Sequence, residues 1–273
     1  MRNLLSANFL RLRKSKLFWG LLLILFGLGI LFTFRRVSDQ MKWGARFYLT
    51  IDLFTYPLFL GFGMAAFIPL FFGAEHSDGT MRNKLTVGHT RLSIYLAHLI
   101  TSIAVAFSAA AAYVLPVLAV GLFIYEPPAM EVGTLLLLAL GTLALLAAYC
   151  ALYTFVVMNC ARKSGAAVIC LVGMLALYLA AGNIEIPLMH PEYLSMEVTG
   201  SGEAVPGEPN PRYVGGAERQ VLETLQDLLP TGQSLQYMRA EAAHAERLPL
   251  YSLAVTALST GAGIALFCRK DLK

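Results

Sequence analysis

Six stretches of this chain carry no Asp, Glu, Lys or Arg, and each is long enough to cross a membrane as a helix. They are Leu17–Phe34, Leu53–Gly73, Leu92–Tyr125, Val132–Ala161, Ser164–Ile184 and Leu248–Cys268, together 145 of 273 residues. A helix needs roughly 20 apolar residues to span a hydrocarbon core, within a range of about 17–25. Lipid offers no hydrogen-bond partners, so a spanning segment pairs its own backbone groups as a helix or joins a closed barrel. Barrel strands alternate strictly over about ten residues, whereas these windows are apolar all round. Gly133–Tyr153 alone holds nine leucines, each favouring insertion by about 0.5 kcal/mol. The expected fold class is an all-α integral membrane protein, a single transmembrane domain over 1–273. Its six transmembrane helices are expected over about 17–34, 53–73, 95–124, 133–158, 165–184 and 248–268.

Charge is scarce. Only 14% of residues are Asp, Glu, Lys or Arg, against about 25% in soluble domains, which argues against a soluble enzyme or a disordered chain. The first window is preceded by basic residues, as a signal peptide would be. It is longer than a typical signal core, is followed by Arg35 and Arg36, and shows no small-residue cleavage site. It reads as a retained first span.

With the N-terminus inside, the pieces 1–16, 74–91, 162–163 and 269–273 hold 13 Lys and Arg, and the external pieces 35–52, 126–131 and 185–247 hold 8. The positive-inside rule then places both termini in the cytoplasm of a cell-membrane protein. These membrane-flanking cations account for the net charge of +4, so no nucleic-acid partner is expected. Cys150, Cys160, Cys170 and Cys268 lie within spans or at their inner ends and read as small packing residues rather than a disulfide framework.

Three segments between the spans carry pattern. Residues 1–16 place Leu5, Phe9 and Leu12 on one helical face with Arg2, Arg11, Arg13 and Lys14 largely elsewhere. They form either an amphipathic helix lying in the inner interface or a loose positive flank that only sets topology. The segment 74–91 is the densest polar cluster on the inner side. Ser77 or Asp78 is placed to cap a short helix through Arg82, Asn83 and Lys84, with Gly88 at its end. The window after it would make about 51 Å of helix, longer than a core of about 30 Å, so the third span is expected to project inward or to kink at Pro116. Such a short helix on a stiff stalk suits force transmission; the plainer reading is a solvated loop.

The external segment 185–247 is expected to be irregular and mobile over Gly200–Gly216. An amphipathic helix should follow over Ala217–Leu229, with Val221, Leu225 and Leu228 on one side and Pro230 as its stop.

Catalytic and nucleotide-binding motifs are missing. There is no G-x-x-x-x-G-K-[ST], G-x-S-x-G or H-E-x-x-H, and the five histidines lack ligand spacing. No cofactor or metal is expected. His98 is the one His, Asp, Glu, Lys or Arg inside an expected span, near its inner end, and reads as a packing or interfacial residue. Otherwise the spans carry neutral polar groups such as Tyr113, Thr142, Tyr149, Tyr153, Tyr178 and Ser259. Ion-coupled carriers usually bury a charge near the midplane, so any transport energy should come from a partner.

These features together resemble the ABC-2 type transporter permeases. The layout matches along the whole chain. The more specific likeness lies in Glu75, Gly79-Thr80, Arg82-Asn83-Lys84-Leu85, Gly88 and Arg91, continued by Ile94-Tyr95-Leu96-Ala97, and in Phe267 through Arg269-Lys270-Asp271. A proline usual before the loop's Arg is replaced by Val87-Gly88-His89-Thr90, and a lysine usual after Ala97 is replaced by His98. The resemblance implies that Glu75, Asp78, Gly79, Thr80, Arg82, Asn83, Lys84 and Arg91 belong to a coupling segment that docks on a separate ATP-binding subunit, present in two copies. It also implies a second permease chain, identical or related, with the pathway between the two. The helix near 217–229 would correspond to the family's re-entrant external elements. The expected function is the permease subunit of an ATP-driven exporter, not itself an enzyme, with amphiphilic or apolar cargo such as a peptide, lipid or antibiotic. The rival expectation is a non-transporting sensor or immunity protein that binds a peptide through its external loop.

Overall fold

The structure, a computed structural model, describes residues 1–44, 48–126, 130–160, 162–198, 204–240, 242 and 244–270. Ala161, Gly200 and Asp271, which entered the sequence reading, lie outside them. The elements are α1 (Arg2–Arg13), α2 (Lys16–Trp43), α3 (Leu49–Leu53), α4 (Tyr56–Ser77), α5 (Thr80–Thr86), α6 (Arg91–Ile124), α7 (Val132–Asn159), α8 (Lys163–Leu188), β1 (Met196–Val198), β2 (Ala204–Pro206), α9 (Gly216–Leu228), α10 (Pro230–Arg239) and α11 (Leu248–Arg269). Among the described residues, six helices are long and apolar enough to cross a membrane: α2, α4, α6, α7, α8 and α11.

Helices do not end where the charge-free windows end. Helix α2 continues past Phe34 through Arg35 and Arg36 to Trp43, where Gly44 takes a left-handed φ of 63° and its N–H bonds to the Gln40 carbonyl. Charges end the hydrocarbon-compatible stretch, but nothing between Arg35 and Lys42 breaks a helix. Helix α8 likewise runs on to Leu188 and carries Glu185 in a buried position. Helix α6 is a single helix of 34 residues with Pro116 inside it, which at about 1.5 Å per residue is about 51 Å long. Pro116 sits where α2 crosses: a Cβ on Gly29 would run into the Tyr113 carbonyl oxygen and the Pro116 ring. The small residue allows that close approach, as is usual where membrane helices pack.

Helix α7 is the centre of the bundle. Leu145, Leu146, Tyr149, Cys150 and Ala151 on it are buried, facing α4, α6, α8 and α11. The outer surfaces of α2, α8 and α11 stay apolar and exposed, for example at Leu23, Leu31, Val172, Leu179, Leu253 and Leu258. A soluble protein would bury such residues, whereas lipid accepts them.

The segment between α8 and α11 departs most from expectation. Residues 204–206 of the stretch expected to be irregular pair antiparallel with 196–198. Helix α9 forms as expected. Its buried residues are Gln226 and Asp227, while Val221, Leu225 and Leu228 are exposed. Pro230 does not merely stop α9. It is the first residue of α10, which enters the bundle and buries Thr231, Gly232, Gln233, Ser234, Leu235, Gln236 and Tyr237.

The polar groups of α10 find partners on three different spans. Thr231 Oγ1 donates to the Leu177 carbonyl on α8 at 2.8 Å, Tyr149 on α7 shares a 2.8 Å bond with Ser234, and Ser252 Oγ on α11 donates to Gln233 Oε1 at 2.6 Å. Gln236 Nε2 and Gln233 Nε2 donate to the Asp227 side chain and carbonyl. Tyr237 lies over Gly141, where a Cβ would collide with its hydroxyl. Burial pushes that phenol's pKa up.

Candidate functional site

One end of the bundle gathers α1, the α4–α5 turn, the start of α6 and the last turns of α7 and α11. The turn from α4 into α5 is made by Gly79 at φ +68°, a left-handed conformation that costs other residues about 1 kcal/mol or more. This corrects the capping expectation. Ser77 closes α4, Asp78 is its C-cap, and α5 starts from Gly79 without a side-chain cap. Gly88, at φ +94°, ends the segment as expected. Thr80 Oγ1 reaches back to the Glu75 carbonyl at 3.1 Å and holds the turn against α4.

Glu75 is the hub of this end, and it points inward. Its side chain is 2% exposed. Arg11 Nη1 on α1 lies 2.5 Å from its Oε1; Lys84 Nζ on α5 lies 2.6 Å and His98 Nε2 on α6 3.0 Å from its Oε2. Four helices are thus tied to one carboxylate. Lys84 Nζ also stands 3.4 Å from His98 Nε2.

Aromatic rings wall the cluster off. The Arg11 guanidinium lies 4.2 Å from the Phe71 ring centroid, and the His98 ring 4.5 Å from that of Phe72. His98 Nδ1 faces Met158 Sδ on α7 at 3.1 Å. Buried charge is expensive unless paired and hydrogen-bonded; here both carboxylate oxygens are occupied.

Helix α1 docks beside the cluster through a face that shares Leu12 with the apolar stripe read from the sequence. Leu4, Asn8 and Leu12 are buried, while Phe9 and Leu10 are exposed. Asn8 is drawn inward because its Nδ2 donates to Thr101 Oγ1 on α6 at 3.3 Å.

The expected coupling residues therefore separate into three groups. Asp78, Gly79, Thr80, Arg82 and Asn83 are exposed on the turn and α5. Glu75 and Lys84 belong to the internal cluster. Arg91 does a different job: its Nη1 donates to the Phe267 carbonyl at 2.7 Å and to that of Lys270, holding the end of α11. Lys270 in turn donates to the carbonyls of Met158 and Cys160, at 3.3 and 3.1 Å, at the end of α7, and burial pulls its ammonium pKa below the ordinary lysine range.

Sequence reasoning missed Arg11 and His98 as members of the site. The available signal was an acid directly following an apolar span, which needs cations. Nothing in the spacing said which cations would reach it.

The opposite end carries a second charged pair. Arg36 Nε on α2 lies 2.9 Å from Asp52 Oδ1 on α3, and Tyr125 donates to Asp52 Oδ2 at 3.0 Å. Beside α10, a cavity of about 480 Å³ is walled by Glu185, Arg219, Glu223, Asp227, Gln236 and Arg239 among others, with Arg239 paired to Glu185 at 2.9 Å.

Six long apolar helices packed as one bundle define a multi-pass helical membrane protein. The model of the ABC-2 family transporter proteins matches residues 4–180. The chain belongs to that family. It is a permease component of an ABC transporter, a transmembrane component, and permeases of this family work with an ATP-binding subunit. The matched region covers α1 through most of α8 and includes the whole ion cluster. No curated protein matches the chain.

Proposed function

We propose that this chain is the permease subunit of an ATP-driven exporter, coupled to its ATP-binding partner through α5. In this reading both termini and α5 face the cytoplasm, and 1–273 is one transmembrane domain in the cell membrane. Two permease chains, identical or related, form the pathway between them with two ATP-binding subunits below. Asp78, Thr80, Arg82 and Asn83 make the docking surface, with Gly79 as the turn that presents it. Glu75 and Lys84 relay its displacement, and Arg91 braces the end of α11 against the movement. The N-terminal helix lies along the inner membrane interface with Phe9 and Leu10 toward lipid. Binding of ATP shifts the bundle only if the ATP-bound partner favours one arrangement of the spans over the other.

The observation that carries this reading is the Glu75 cluster. A push on α5 moves Lys84, and through Glu75 it reaches α4, α1 and α6 without passing through a flexible linker. The transport direction and an amphiphilic or apolar cargo rest on the family likeness and on the neutral spans. The test compares ATP hydrolysis and transport by the reconstituted complex carrying Glu75→Gln or Arg82→Glu. Both variants should insert and retain the ATP-binding subunit's hydrolysis while losing transport. Transport at the parental rate in both would sink the proposal.

The reading as a non-transporting sensor keeps one supporting observation, the cavity of about 480 Å³ beside α10. It requires that deleting 200–229 abolish function while substitutions over 75–84 leave it intact.

A further inference from the structure

We propose that the groove between α2 and α4, on the α1 side of the bundle, holds an acyl chain of an anionic phospholipid whose phosphate is bound by Arg13, Lys14 and Lys16. The groove has a volume of about 500 Å³ and is lined by Leu17, Gly20, Leu21 and Ile24 of α2 and by Phe62 and Ala66 of α4, among others. Its lining runs along α2 from Lys16 to Leu28, which at about 1.5 Å per residue is about 18 Å. That is close to one leaflet of a hydrocarbon core about 30 Å thick. Gly20 opens it: a Cβ placed there would meet nothing within 4 Å.

The charge at one end of the groove selects the headgroup. Lys16 lines that end, Arg13 and Lys14 precede it by three and two residues, all three are exposed, and none of them pairs with a carboxylate among the described residues. Arg11, two residues away, is already committed to Glu75. Trp19 marks the headgroup level. It is 54% exposed and its indole Nε1–H donates to the Arg13 carbonyl at 3.0 Å, the position where interfacial tryptophans gather.

A second copy of the chain would cover the apolar groove but not the charge. At this end Asp78 is the only exposed acid among the described residues. A leaflet rich in anionic lipid supplies phosphates to all three cations, each worth about a fivefold preference. Under the orientation proposed above that leaflet is the cytoplasmic one. The inference itself needs only that α1 lies at a membrane surface.

The test reads Trp19 directly. The chain has two tryptophans, and Trp43 lies at the other end of α2, so Trp43→Phe leaves Trp19 as the reporter. The Trp43→Phe protein is placed in phosphatidylcholine nanodiscs containing either brominated phosphatidylglycerol or brominated phosphatidylcholine at equal fraction. The glycerol lipid should quench Trp19 several times more effectively. Exchanging Arg13, Lys14 and Lys16 for Gln should bring the two lipids level. Gly20→Leu fills the groove with a better helix former and should weaken quenching by both. Equal quenching in the Trp43→Phe protein, or a preference that survives the triple exchange, would overturn the proposal. So would a Gly20→Cys chain that forms disulfide dimers beyond the parental level, which would assign the groove to a second copy. None of these readouts uses transport, so they stand or fall apart from the coupling proposal.

Discussion

The two ends of the bundle solve the same problem by different means. At the α5 end, one carboxylate joins four helices through Arg11, Lys84 and His98. At the α10 end, a short polar helix is held in the bundle by single hydrogen bonds that join Thr231, Gln233 and Ser234 to three spans. The charged hub concentrates its energy in one residue, whereas the neutral seam spreads it over many. A buried ion pair is costly to break because its partners are left charged, while a neutral hydrogen bond contributes about 1 kcal/mol net. The first arrangement suits a joint that moves as a unit, and the second suits an element that can be displaced stepwise.

Five substitutions test that contrast. The largest effect is expected for Glu75→Ala, which strands Arg11, Lys84 and His98 and should cost about 3 kcal/mol. Unfolding of the purified chain in graded denaturing detergent measures it, and trypsin should then cut earlier at Arg11 and Arg13 as α1 comes away. A cost below that of any single exchange on α10 would reverse the ranking of the two ends.

Gly141→Ala should come next, at about 2 kcal/mol, because the new methyl collides with the Tyr237 hydroxyl and lifts α10. Faster hydrogen exchange over 230–239 without change over 80–86 is the expected signature. Loosening of both regions together would show that the two ends are not independent.

Ser252→Ala should cost about 1 kcal/mol by depriving Gln233 Oε1 of its donor. Adding Gln233→Leu should cost less than the sum of the separate exchanges, since the Ser252–Gln233 bond is lost only once, while the Asp227 carbonyl loses its Gln233 donor with or without Ser252. Strict additivity would mean that the two side chains do not interact as drawn.

The smallest effect on stability is expected for Arg82→Gln. Its side chain is exposed on α5, so the change should stay within about 0.5 kcal/mol. A larger loss would place Arg82 inside the cluster rather than on the docking surface.

Much of this architecture is legible in the residues, for a physical reason. A span must satisfy its backbone locally and present apolar groups to lipid, so composition over about 20 residues suffices to find it. The turn around Gly79 was also within reach, because a Gly-Thr pair between an apolar span and a basic helix marks a reversal. Helix α10 was not. Its sequence, Pro-Thr-Gly-Gln-Ser-Leu-Gln-Tyr, reads as a polar surface segment, and it is buried only because Leu177, Tyr149 and Ser252 meet it from α8, α7 and α11.

The sequence by itself determined that the chain is a six-span helical membrane protein, since lipid imposes its demands one segment at a time. Only the tertiary structure decided which charges share a site. Arg11, Glu75, Lys84 and His98 come from four helices, and a carboxylate next to a span selects its cations by three-dimensional proximity. That proximity is a property of how the helices pack and is written in no single stretch of residues.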